Sequence, residues 1–588
     1  MKFVEYCKYL EKLQNSPGRN SKTEILADLF SQLKPQEVRQ ALYLLDGRIA
    51  AKYQAVEFNF STKLMITAIQ NYCVNNGVLI SVKDRYDSFG DIGELAANIR
   101  AEVGPAGGSG IDIFKLHSRL KDIAKVSGKG AQAEKSRIYI EFFETQTPLE
   151  AKYLARIIVG NLRLGMSEKT IIDALSWFKV KDKSLKKLIE RAMGVRSDIG
   201  LIAEDVLSTD ITELELKFEK YTIIPGVPVA SKLVEREKSP QAVFERISSG
   251  YIQPKLDGLR AQVHKWVQND EVCVSIFSRN FENITEMFPD LVEAGKRIPV
   301  DSFVFDSEVV GFDFDNQKMM PFQDTIQRKR KHDVGNVSKT IPVRSMMFDV
   351  LSFEGQDLSR LPIKTRLQYL DRMDDKTKEI SKLETIQFDE QEKLVNFFEA
   401  CLEKGLEGVI IKKDETKYEP GTRNFDWIKL KASSKKELVD TIDAVVMGYY
   451  FGTGARNKFG LGAILIGVFN QEEDRYETVA KVGTGITDDL FVTIKRDLMG
   501  ITMNKKSEKY LINNNLLPDV FVDPKIVVEV EADELTLSNS HTACKTIIGD
   551  KGISMRFPRL KVWDRDKNPE QATSTDELYR IYDLRKKK

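Results

Sequence analysis

The hydrophobic period of this chain changes once, near residue 221, and a segment patterned for one period does not settle in the other. Up to about residue 215, apolar side chains recur at i, i+3, i+4 and i+7 in TEILADLFSQL (23–33), GELAANIRAEV (93–103), LEAKYLARIIVGNLRLG (149–165) and EKTIIDALSWF (168–178). That spacing predicts helices. YTIIPGVPVA (221–230) then carries Pro-Gly-x-Pro, which cannot continue a helix and reads as a linker. Beyond it, YIQPKLDG, VCVSIFSR, FVFDSEVVGF, SMMFDVLSF and GVIIKKD are short β-branched or alternating runs, with helical stretches such as PIKTRLQYLDRM between them. A lysine-rich break, KLKASSKKELVD (429–440), precedes TIDAVVMGYY, GAILIGVFN, YETVAKVG and KIVVEVEA, which are patterned as strands of a small barrel. The expectation is a multidomain chain: all-α first, α+β second, β-barrel last.

Composition narrows the class. Apolar residues at 42% and charged residues at 30% suffice for cores and a solvated surface, which excludes disordered, collagen-like and disulfide-scaffold chains. Lys+Arg 89 against Asp+Glu 88 leaves a net charge of +1, which decides nothing about nucleic acid, because a basic face can be offset elsewhere. Cys7, Cys73, Cys273, Cys401 and Cys544 are dispersed, without Cys-x-x-Cys spacing. They read as reduced, mostly buried thiols of a cytosolic protein. MKFVEYCKYLEKL has no apolar signal core, and no apolar run approaches the length of about 18 residues that a membrane span needs. A cytoplasmic, multidomain, globular protein without membrane contact is expected.

The sharpest local signal is KLDGLR, Lys255 to Arg260, at the end of a short strand. A lysine amine attacks phosphorus only when deprotonated, which its ordinary pKa of about 10.4 makes rare at neutral pH. Neighbouring cations or a metal can depress it. Gly258 allows the backbone to turn closely around a phosphate. The hexapeptide alone fits a hairpin turn equally well. An ordered series follows: Arg279 in SRN, Glu308 in FDSEVV, Phe348 and Asp349 in MFDVL, Glu407 and Lys412 in EGVIIK. The series ends with Lys429 and Lys431 in YEPGTRNFDWIKLK, at i and i+2 and so on one strand face.

This series resembles the collinear motifs of the covalent nucleotidyltransferases, which include polynucleotide ligases and messenger-RNA capping enzymes. It is most similar to ATP-dependent DNA ligases of the archaeal and eukaryotic replicative type. ARIIVGNLRLGM (155–166) resembles a segment of that family's helical DNA-binding domain, and GISMRFPRL (552–560) with DKNPEQATS (566–574) resembles its last motif. The resemblance implies a helical DNA-binding domain (1–215), a linker (216–230), an adenylation domain (231–435) and an OB-fold domain (436–588). It implies ATP and Mg²⁺ as cofactors, nicked duplex DNA as partner, and nick sealing in replication, repair and recombination.

The roles it implies are specific. Lys255 is the nucleophile that becomes adenylated. Gln253, Arg260, Arg279, Glu308, Phe348, Lys429, Lys431 and Lys567 belong to the ATP site. Glu308 contacts the ribose or a metal-bound water, Glu407 is the metal-associated acid, and Phe348 stacks on adenine. Lys429 and Lys431 hold the α-phosphate, Arg260 and Arg279 lie near the nucleotide and nick phosphate, and Lys567 orients leaving pyrophosphate. Lys152, Arg156 and Arg163, at i, i+4 and i+11, are expected to lie along one helix face and to bind DNA phosphates.

The chain departs from the family pattern in four places. Gln253 stands where Glu is usual, Ser307 replaces Gly beside Glu308, and PGVPVASKLV lacks the common Pro-Met-Leu. The last motif reads Asp564-Arg565-Asp566-Lys567 in place of Arg-x-Asp-Lys. In a strand that shift would turn the arginine to the opposite face unless a bulge restored register. Among weaker signals, GPAGGSG (104–110) and SGKGAQ do not fit a phosphate-loop pattern and read as loops. QEKLVNFF (391–398) matches the pattern by which related enzymes dock on a sliding clamp, but its helical spacing reads as core. RKRKH (328–332) fits a solvated loop or a phosphate-contacting strip. The histidines form no ligand set, and His541 reads as structural. Two rival functions are an RNA ligase or guanylyltransferase, separated by nucleotide choice in self-adenylation, and a DNA-binding scaffold without catalysis.

Overall fold

The computed structural model describes residues 1–588 other than 17, 105–106, 109, 238, 326–327, 329–337, 339, 375–376, 432–440, 453–455, 457–458, 504 and 587–588. Part of GPAGGSG, residues 329–332 of RKRKH and most of the lysine-rich break therefore lie outside the described residues. The chain forms two compact units, Met1–Leu162 with Glu168–Lys431, and Arg163–Ser167 with Ala432–Lys588.

From Phe3 to Glu219 the described chain is almost wholly helical. Its central helix, Pro148–Val159, is buried from Glu150 to Ile158. Thr147 and Glu150 close a capping box at its start: Glu150 N–H donates to Thr147 Oγ1 at 3.2 Å, and Thr147 N–H donates to Glu150 Oε2 at 2.9 Å. Gly160, at φ +76, adopts the left-handed conformation that ends it. The apolar spacing predicted continuation to 165, so the helix is a turn and a half shorter than expected. The reason is local: a left-handed residue breaks the ladder whatever the apolar pattern beyond it.

The strands of the first unit build two sheets. β1 (Leu233–Glu237), β2 (Gly250–Pro254), β10 (Ile386–Phe388), β11 (Gly408–Lys413) and β12 (Arg423–Lys431) form one, in the order β1-β12-β11-β2-β10. The other runs β4-β3-β5-β7-β8, with β3 Leu259–Gln268, β4 Glu271–Ser278, β5 Phe303–Asp313, β7 Val343–Phe353 and β8 Gln356–Asp357. β6 (Lys318–Met319) pairs with β5, and β9 (Ile380–Lys382) with β7. Each sheet buries a face under its own helices. Leu394, Phe397 and Phe398 of Gln391–Glu403 pack with Ile252, Val409 and Ile411, so the clamp-like QEKLVNFF is core. Leu291 and Ala294 of Pro289–Arg297 and Leu367 of Ile363–Asp371 pack with Phe303, Phe305 and Val350. A smaller cluster joins strands of both sheets: Val304, Leu351 and Trp427, with Tyr418, Ile223, Val229 and the half-buried Phe348.

The segment marked as a linker is packed along β3. Gly226 N–H donates to His264 Nδ1 at 3.1 Å, Val229 N–H donates to Gln262 Oε1 at 2.7 Å, and Gln262 Nε2 donates to Val229 O at 3.2 Å. Because Nδ1 accepts, the His264 proton sits on Nε2, which donates to Gln262 Oε1 at 3.0 Å. Burial pushes His264 down to about 3.

In the second unit, β13 (Ile442–Tyr450), β14 (Ala463–Asn470), β15 (Arg475–Val482), β16 (Thr502–Met503), β17 (Tyr510–Leu511) and β18 (Val520–Val522) form a sheet in the order β16-β18-β13-β14-β15-β17. β19 (Val527–Glu531) pairs with β13 and with β22 (Arg559–Val562), while β20 (Glu534–Ser538) and β21 (Gly552–Arg556) form a separate hairpin. All five cysteines are free, and all but Cys273 are buried. Among the described residues no helix is long and apolar enough to cross a membrane.

His264 gives a signed pH dependence. It is neutral when folded but takes a proton near its ordinary 6.5 when unfolded, so the stability it contributes is complete above that value and lost as pH falls towards about 3. The stability advantage of the wild type over His264→Gln should therefore shrink between pH 7 and pH 4, read as the difference in Tm at each pH.

Candidate active site

Lys255 lies just past the end of β2, and its N–H donates to Gly408 O at 2.8 Å, tying the KLDG turn to the start of β11. Its Nζ lies 2.5 Å from Glu407 Oε2, and Lys431 Nζ lies 3.2 Å from the same oxygen. Register explains why residues so distant in sequence meet. β11 pairs with β2 and with β12, placing Ile410 opposite both Gln253 and Lys429, and Gly408 opposite Lys431. Burial would raise the Glu407 carboxyl, but Lys255 and then Lys431 outweigh it and hold the group below the usual range. Lys429 is pushed down by burial and then by Lys431, Arg423, Lys255 and Arg236. Four cations thus lie within electrostatic reach of Lys429, a concentration of positive charge that an anionic ligand with several phosphates would neutralise.

Glu308 sits on β5 opposite Arg260 of β3. Burial pushes its carboxyl up to about 7, although Lys255 and Arg260 oppose the shift. A β-carbon at Gly258 would lie 2.6 Å from Val309 O and 2.8 Å from Glu308 Cγ, so β5 itself requires glycine in the turn. Ser307, in place of the usual glycine, is buried; its Oγ donates to Ala261 O at 2.9 Å and accepts from Ser345 Oγ at 2.8 Å.

Beneath these residues lie two fully buried carboxylates. Asp306 Oδ2 accepts from Arg260 at 2.5 Å and from the Tyr418 hydroxyl at 2.7 Å, while Oδ1 accepts from Gln262 at 2.9 Å. Asp349 takes a bidentate contact from Arg366, at 2.8 and 3.1 Å, with Lys412 Nζ 3.4 Å away. Burial would raise Asp349, but Arg366 and Lys412 hold it below its ordinary range. Burial pushes Lys412 down to about 8, with Asp349 opposing. Gln253 is buried and donates to Phe348 O at 3.1 Å and Thr385 Oγ1 at 2.9 Å. Arg260 lies 5.9 Å from the Phe348 ring centre.

The structure brings together Gln253, Lys255, Arg260, Glu308, Phe348, Glu407, Lys429 and Lys431 of the residues singled out from sequence. Arg279 is exposed in the turn after β4, and no contact joins it to this group among the described residues. Asp306, Tyr418, Gln262 and Arg366 were not singled out. Asp306 lies two positions before Glu308 on the same strand face, and Tyr418 opens the segment that ends in Lys431, but burial alone gives them their weight.

The expected DNA-binding face needs correction. Lys152 and Arg156 are 5% and 2% exposed. Lys152 pairs with Glu11 at 2.9 Å and Glu94 at 2.8 Å, and Arg156 with Asp91 at 3.0 Å. Their charges hold helices of this region together. Arg163 lies beyond the helix end, at φ +55, and so shares no helix face with them. Arg328, the described residue of RKRKH, is likewise buried and paired with Asp290 at 2.5 Å.

The shifted last motif is also corrected. Asp564–Lys567 follows β22 as a bend with Asp564 at φ +55, so strand alternation does not apply. Lys567 Nζ lies 2.5 Å from Asp443 Oδ2, and Arg565 Nε lies 3.7 Å from Oδ1 of the same carboxylate while also pairing with Glu529.

Three family models match the chain: "DNA ligase N terminus" over residues 2–176, "ATP dependent DNA ligase domain" over 231–431, and "ATP dependent DNA ligase C terminal region" over 457–567. A "Probable DNA ligase" of Dictyoglomus thermophilum is 37% identical, covering all of this chain and 98% of that protein. A "DNA ligase" of Saccharolobus solfataricus is 32% identical at the same coverage. The solved structure named "Pmar-Lig_PreS3" is similar in fold, at TM-score 0.50 and 18% identity, over 95% of this chain and 99% of that one.

Asp306 carries the packing beneath this site. Asp306→Ala would strand the Arg260 charge, and breaking such a pair costs about 3–5 kcal/mol. The loss should appear as a lower urea midpoint at unchanged slope.

Proposed function

The chain belongs to the ATP-dependent DNA ligase family, whose general function is to seal nicks in DNA, and from that premise we propose that Lys255 is the residue that carries AMP. The observation that carries this reading is the contact between Lys255 Nζ and Glu407, set among Lys429 and Lys431. The Lys255 amine must lose a proton before it attacks, and Glu407 Oε2 lies within reach of that proton. The amine nitrogen then forms a bond to the α-phosphorus of ATP, the α–β anhydride bond breaks, and pyrophosphate leaves. Lys429 and Lys431 neutralise charge spread over the phosphate oxygens, where phosphoryl transfer most needs it. AMP passes next to the 5′-phosphate at the nick, and attack by the 3′-hydroxyl releases AMP and seals the strand. Gln253, Arg260 and Phe348 complete the nucleoside side of the site, with the Phe348 ring stacked on the base.

The donor set fits Mg²⁺. Among the described residues no cluster of three His, Cys, Asp or Glu side chains forms a dedicated cage. Mg²⁺ commonly takes one or two carboxylates and completes its shell with phosphate oxygens and water. Glu308 is a half-buried carboxylate that burial pushes up to about 7, and Glu308 and Glu407 would hold the ion. When bound, it supplies charge neutralisation on the phosphates.

The wider assignments follow the same reading. Residues 1–215 form the domain that binds nicked duplex DNA through phosphates, by cations other than the buried Lys152 and Arg156. Residues 216–230 connect it to an adenylation domain (231–435), and 436–588 form an OB-fold domain. Arg279 serves the nick phosphate. Lys567, which Asp443 holds within its own domain, orients the leaving pyrophosphate once released from that carboxylate. The protein works in the cytoplasm as a monomer.

Two measurements test these roles. With α-labelled ATP and Mg²⁺, the wild type should retain label through denaturing electrophoresis and Lys255→Ala should retain none; a surviving acid-labile adduct would assign the chemistry to another lysine. Lys567→Ala should slow self-adenylation at least about tenfold while sealing of pre-adenylated nicks changes far less, because a contact to leaving pyrophosphate acts only in the first step. Equal slowing of both would make Lys567 a structural or DNA-holding residue.

A further inference from the structure

The carbonyl of Phe348 is released from its own sheet. Along β5 and β7, Asp306 pairs with Asp349 and Ser307 pairs with Met347, so Phe348 is the extra residue of a bulge. On the other edge of β7, Leu383 N–H donates to Met347 O at 2.8 Å, one residue short of Phe348. A bulge leaves a backbone group outside the ladder and re-aims its side chain. Two donors from the other sheet reach this carbonyl: Lys412 Nζ of β11 at 2.7 Å and Gln253 Nε2 of β2 at 3.1 Å.

We propose that Lys412 is a positioning residue, whose buried ammonium fixes the bulged Phe348 carbonyl and thereby the height of the Phe348 ring over the base of ATP. Lys412 is fully buried, and its charge has no route to solvent. Its Nζ lies 4.1 Å from the Trp427 ring centre and 5.1 Å from that of Phe348, so it braces the ring from below as well as through the backbone. Arg366 keeps its two hydrogen bonds to Asp349 when Lys412, 3.4 Å from the same carboxylate, is replaced. On the nucleotide side, what the replacement takes away is the donor to Phe348 O. A carbonyl held by an ammonium is held more strongly than one held by an amide alone.

The proposal rests on Phe348 stacking on the base, and the test separates the two. Lys412→Met should raise the KM for ATP in self-adenylation about tenfold while the rate at saturating ATP changes by less than about threefold, the pattern of lost ground-state binding. In a Phe348→Ala background the same substitution should add less than about twofold, because the ring it positions is gone. If Lys412→Met does not fold, Lys412→Gln, whose amide ends one bond short of the ammonium, is read through the same cycle. Full additivity in the double variant, or a loss of rate at unchanged KM, overturns the positioning role. If Phe348→Ala leaves the KM for ATP unchanged, the stacking reading falls, and this inference with it.

Discussion

Two carboxylates at paired positions of neighbouring strands, Asp306 on β5 and Asp349 on β7, are both wholly buried. Like charges at directly opposed positions destabilise a sheet, and a buried charge without partners costs far more. The surrounding structure is arranged to prevent both. Asp306 draws Arg260, Gln262 and Tyr418 towards it, from β3 and from the loop before β12. Asp349 draws Arg366 from the helix packed on the same sheet and Lys412 from the opposite one. The consequence is rigidity where the site needs it: the strands bearing Glu308 and Phe348 cannot slide without stranding a charge.

That arrangement also determines where positive charge remains available. Most basic side chains of the helical region that the sequence brings to notice are spent internally, Lys152 and Arg156 on Glu11, Glu94 and Asp91. In the second unit, Lys567 and Arg565 share Asp443. Beside Lys255 cations gather instead, with Lys431, Arg423, Lys255 and Arg236 all raising the potential at Lys429. A potential of that sign, on strands that cannot shift, is preorganised for phosphate and needs little rearrangement when the ligand arrives. The linker segment adds to this stiffness, since Val229 and Gly226 bind Gln262 and His264 on the strand that also carries Arg260.

The sequence by itself determined the change from helix to strand near residue 221 and the positions of most strands, because a hydrophobic period is a local property. It also singled out Lys255, Glu308, Glu407, Lys429 and Lys431 as candidates for nucleotide chemistry, through motifs that resemble the collinear series of the family. Only the tertiary structure decided which charges were free to act. Lys152 and Arg156 have the spacing of a solvated face, yet acids distant in sequence bury them, and nothing within the helix signals that. Arg565 and Lys567 differ by two residues and would share a strand face, but the chain bends there and both reach Asp443 through side-chain length instead of alternation. The bulge at Phe348 is likewise invisible in sequence, because pairing register belongs to two strands at once. Spacing along one segment specifies periodicity; partnership between segments depends on where the fold brings them, and for charged groups partnership decides whether a residue is structural or functional.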